Sequence, residues 1–161
     1  MTTAPFGSWS SPITADLIVS KSVSIGEVFV GGNDVWWSEA RPEEGGRVQL
    51  VRHHPGGGAV DVLPEGFGAR TRVHEYGGGP CAMGRRSNGE TVAVFVHDGD
   101  RCLWLLALDG DNPQPRRLTT PGNDGRFCGA LGGGVIDPTH HRWIGVLEAG
   151  GQDQLVGVSL E

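Results

Sequence analysis

The chain has 161 residues, 37% of them hydrophobic and 20% charged, which is enough for one modest core. Its formal charge of −6 is spread along the chain, and no run of Lys or Arg could track a phosphate backbone, so nucleic acid is not an expected partner. The 28 glycines and 10 prolines force frequent turns and favour short strands over helices.

Residues 1–25 read as an N-terminal segment. It lacks a basic start followed by an apolar stretch of signal-peptide length, and no later stretch approaches ~18 apolar residues, so the expectation is a cytoplasmic, soluble chain with no membrane contact. Ser11-Pro12 places a helix cap before a proline, and Ile13, Leu17 and Ile18 follow at helical spacing, which predicts one short helix capped by Ser11.

From Gly26 onward, short apolar and β-branched runs alternate with Gly, Asn, Asp and Pro clusters, the pattern of hairpin-linked strands. Candidate strands are Glu27-Val30, Asp34-Ala40, Arg47-His53, Val60-Leu63, Pro80-Met83, Thr91-His97, Cys102-Leu108, Arg116-Thr119, Val135-Ile136, Arg142-Glu148 and Gln154-Leu160. The pattern repeats: Val35, Val92 and Trp143 stand 57 and 51 residues apart, near the roughly 40–50 per blade of propellers built from four-stranded sheets. The fold class is therefore all-β, an incomplete β-propeller over 26–161. Its first blade spans about 26–75, its second about 76–128, and a partial third covers about 129–161. Three blades cannot close a ring, and a last sheet ending at its third strand leaves an open edge and an uncovered face. Trp36-Trp37, Trp104 and Trp143 fall at related strand positions and are expected to pack between blades, only one of the first pair facing a given neighbour.

Few residues suggest chemistry. In Arg70-Thr71-Arg72-Val73-His74-Glu75-Tyr76-Gly77-Gly78-Gly79, the His-Glu pair begins like a zinc helix, but Gly78 stands where the second histidine would be, and glycines oppose a helix. Close passage of the glycines to a propeller axis, with Tyr76 packing, explains the segment structurally; the alternative is that it faces a substrate channel. The sequence has no G-x-S-x-G elbow, and Gly157-Val158-Ser159-Leu160-Glu161 lacks the second glycine, so no catalytic triad can be assembled. His53-His54 and His140-His141 read as solvated turn residues. Asp98-Gly99-Asp100 and Asp109-Gly110 read as hairpin turns rather than calcium loops. Cys81, Cys102 and Cys128 form no C-x-x-C pair and read as buried thiols. No metal or cofactor is expected.

Three stretches carry a family resemblance: Phe6-Gly7-Ser8-Trp9-Ser10-Ser11-Pro12-Ile13-Thr14, Trp37-Ser38-Glu39-Ala40-Arg41-Pro42-Glu43-Glu44-Gly45-Gly46-Arg47, and Arg70 to Gly79. They resemble the N-terminal propeller of bacterial prolyl oligopeptidase family members of the dipeptidyl aminopeptidase or acylaminoacyl-peptidase branch. Arg142-Trp143-Ile144-Gly145-Val146-Leu147-Glu148 is similar to that family's third blade, while the run from Cys128 to Gly134 departs from its pattern. The resemblance implies a parent in which the propeller caps an α/β-hydrolase domain and gates short peptides toward a Ser-Asp-His triad. It makes the remaining blades and that domain the expected partners. No triad position maps onto this chain, which leaves Arg72, His74, Glu75 and Tyr76 as candidates near the channel or the domain interface. A second reading is a stand-alone interaction module, two copies of which complete a ring by self-association.

Overall fold

The computed structural model describes residues 3, 5–8, 11–20, 22–73, 78–110, 113–120 and 130–161. A short helix, α1 (Ala15–Val19), precedes the strands. Thr14 rather than Ser11 caps it: the Thr14 hydroxyl accepts the Leu17 N–H at 3.1 Å, while Ser11 accepts the Ile13 N–H in a local turn. Thr14 itself is extended, so the helix cannot begin any earlier.

The strands form three antiparallel sheets. The first runs β1 (Ser24–Gly31), β2 (Asp34–Arg41), β3 (Arg47–His53) and β4 (Ala59–Asp61), each beside the next. The second repeats that order with β5 (Cys81–Arg85), β6 (Thr91–Val96), β7 (Leu103–Ala107) and β8 (Arg116–Arg117). The third has β9 (Ala130–Asp137), β10 (Arg142–Ala149) and β11 (Gln152–Ser159), with β10 in the middle. This is the expected all-β arrangement of sequential meanders, stacked without closing a ring. Strand β9 is longer than Val135-Ile136 suggests, because its glycine run carries no strand signal of its own.

Alternation along β6 shows how the stack is held. Val92, Val94 and Val96 point into one core, where Ile136, Trp143, Leu147 and Leu160 of the third sheet and its trailing segment meet them. Ala93 and Phe95 point the opposite way, into a second core with Trp36, Leu50, Leu63 and Ala69. Each large side chain buried here contributes about 1.5–3 kcal/mol, so the middle sheet is fastened on both faces. Among the described residues, the outer sheets are fastened on one face only. Ile25, Val28 and Val30 lie exposed on the first sheet, and Val135 and Leu155 (79% exposed) on the third.

Glycine sets the spacing around Trp143, which is fully buried. A Cβ at Gly134 or Gly145 would run into the indole, and Gly134 has φ of +120°, a conformation side chains rarely adopt. Past β11, Leu160 plugs the same core, and the Arg116 guanidinium donates to its carbonyl at 2.6 Å and to that of Glu161 at 3.2 Å.

Candidate functional site

Of the four residues singled out from the sequence, His74, Glu75 and Tyr76 lie outside the described residues. Arg72 is exposed at the end of the sheets where β6 turns into β7, its guanidinium 4.0 Å from the Asp98 carboxylate. Its neighbours fix it there. Thr71 and Val73 are buried, the Val73 N–H donates to the Thr71 hydroxyl, and the Arg70 N–H donates to the Val96 carbonyl at 3.0 Å. The segment thus presents alternate side chains outward.

A cavity of about 760 Å³ opens at the opposite end, between the first two sheets. Its floor is apolar: Phe29 and Trp36 from the first sheet, Met83 and Leu108 from the second. On its wall, Asp34 at the start of β2 is buried and accepts from His54 Nδ1 and from Arg52 Nε at 2.7 Å. These bonds, His54's first, hold the Asp34 carboxyl below the usual aspartate range. Arg52 also lies over the Trp36 ring, 5.0 Å from its centroid. Sequence reasoning placed His54 in a solvated turn. The signal it missed is register: Trp36 pairs with Arg52 and Val35 with His53, so Asp34 faces His54 one step further on.

On the far rim, Asp109 accepts the Thr91 N–H at 2.7 Å, and Arg85 closes the β5 end. The remaining polar clusters bind the fold to itself. Asp100 accepts from the Cys102 N–H and the Trp104 indole, and Asp137 holds His140 and Arg142. Ser159 lies on β11 rather than a strand-to-helix elbow, and no group of His, Cys, Asp and Glu among the described residues could hold a metal ion. Trp36 turns into the inter-sheet core, whereas Trp37 lies on the other face and donates to Glu39. Trp36 and Trp143 sit on second strands, but Trp104 is on a third strand, so the tryptophans are not strictly equivalent.

No family model matches the chain, and no curated protein matches it. Solved structures do. The crystal structure of puromycin hydrolase is 33% identical with a TM-score of 0.78, over 99% of this chain and 25% of that one. A serine-to-alanine mutant of puromycin hydrolase complexed with PGG gives 33% and 0.78, over 98% of this chain and 25% of that one. A Mycobacterium tuberculosis puromycin-hydrolyzing peptidase gives 32% and 0.79, over 100% and 24%. The chain matches the N-terminal propeller portion of a prolyl oligopeptidase family peptidase. This propeller portion spans about a quarter of the length of those structures. It contains three sheets among its described residues, and no helix among them is long and apolar enough to cross a membrane.

Proposed function

We propose that the chain is the non-catalytic opening part of a propeller that limits access to the serine centre of a cytoplasmic oligopeptidase. Short peptides are the substrates of the whole enzyme, and the remaining blades and an α/β-hydrolase domain are the partners of this part. The three sheets are its first three blades, divided near residues 75 and 128, and Arg72, with His74, Glu75 and Tyr76, faces the channel or the hydrolase.

One observation carries the reading: the third sheet packs tightly through Trp143 and Leu147 on one face while Val135 and Leu155 stand exposed on the other. Apolar residues so placed suit a sheet flanked on both sides. The likeness to peptidases about four times as long supports the same placement. A stand-alone module that closes a ring by self-association draws on the same open faces, and a discrete dimer in size-exclusion chromatography would favour it.

The purified chain is expected to leave a chromogenic dipeptide amide intact and to take up no label from diisopropyl fluorophosphate. Hydrolysis by the chain, abolished by that reagent, would overturn the assignment.

A further inference from the structure

The cavity between the first two sheets has both of its walls within this chain, so it does not depend on what flanks the stack. We propose that it binds a free α-amino acid with an apolar or aromatic side chain, recognised as a zwitterion.

The volume of about 760 Å³ falls in the range of small-molecule sites, which join an apolar floor to a few convergent polar groups. The floor here offers the half-buried Phe29 and Met83 to a side chain, with Trp36 and Leu108 buried beneath them. Two opposite charges remain on the rim. Among the described residues, the Arg85 guanidinium pairs with no carboxylate, and Asp109 spends one oxygen on the Thr91 N–H and leaves the other open. By contrast, Asp34 and Arg52 are committed to each other and to His54 and Trp36, so neither is on offer to a ligand.

Register brings the two open charges together. Thr91 pairs with Arg85 on one side, and on the other its carbonyl accepts the Leu108 N–H while its own N–H reaches Asp109. Their backbones are thus about two strand spacings apart, ~10 Å, and both side chains line the same cavity. Arg85 takes the carboxylate in a charge-assisted fork and Asp109 takes the ammonium. A purely anionic ligand would face Asp109 unpaired, and a cationic one Arg85.

Isothermal titration of the chain with L-phenylalanine, N-acetyl-L-phenylalanine and L-phenylalaninamide tests this. The free amino acid is expected to bind at least about tenfold more tightly than either blocked form, since each forfeits one charge-assisted contact. Arg85→Gln should weaken it by a similar factor without moving the melting temperature, because Arg85 is exposed. Asp109→Asn should do likewise, since asparagine keeps an oxygen for the Thr91 N–H. Equal binding of all three ligands, no binding of phenylalanine, or indifference to Arg85→Gln in chains that melt cooperatively would each overturn the proposal.

Discussion

Cys81 and Cys102 are buried, and burial, with Glu27 nearby, pushes the Cys81 thiol up to about 12. Neither thiol should react with a maleimide in the folded chain, and both should react once it is unfolded in guanidinium; labelling followed by mass spectrometry checks this. Gly145→Ala should cost about 1–3 kcal/mol, the usual penalty of overpacking, because the new methyl meets the Trp143 ring; denaturant unfolding measures it. At this scale the sequence was legible in that alternation lets only one of Trp36 and Trp37 face a neighbouring sheet; that it is Trp36 came from the structure. The sequence was silent about Gly145, whose demand for space comes from a neighbouring side chain folding back over it.

Strand order followed from spacing alone, since each run of apolar residues is bounded by turn residues and sequential strands pair. The helix start was misplaced because Ser11-Pro12 and Thr14 offer competing caps, and only the extended backbone at Thr14 decides between them. The Asp34, Arg52 and His54 cluster ties the β2 start to the β3 end, and it makes stability depend on pH. Asp34 is depressed in the fold, so its contribution is fully present above the ordinary aspartate value of about 4 and is lost as pH falls through the lower folded value. Urea midpoints measured from about pH 6 down to about pH 2.5 should therefore fall more steeply for the native chain than for Asp34→Asn. Equal slopes would assign the acid limb to the other depressed carboxylates, Glu44, Asp61 and Asp137.

Across the molecule, the repeat of about fifty residues was readable because each meander needs the same length of chain. The cavity was not readable, since it arises where two sheets face each other across residues far apart in sequence. The open faces have a measurable consequence: sedimentation of the chain should show association that grows with concentration. Leu155→Lys should reduce that association while changing stability by less than about 0.5 kcal/mol, as surface substitutions do. The proposed function makes these sheets part of a larger ring whose reactive serine lies elsewhere in the polypeptide. Sequencing the gene beyond the Glu161 codon tests it most directly. The expected result is further repeats of similar length followed by a G-x-S-x-G motif, and a region encoding neither would contradict the account.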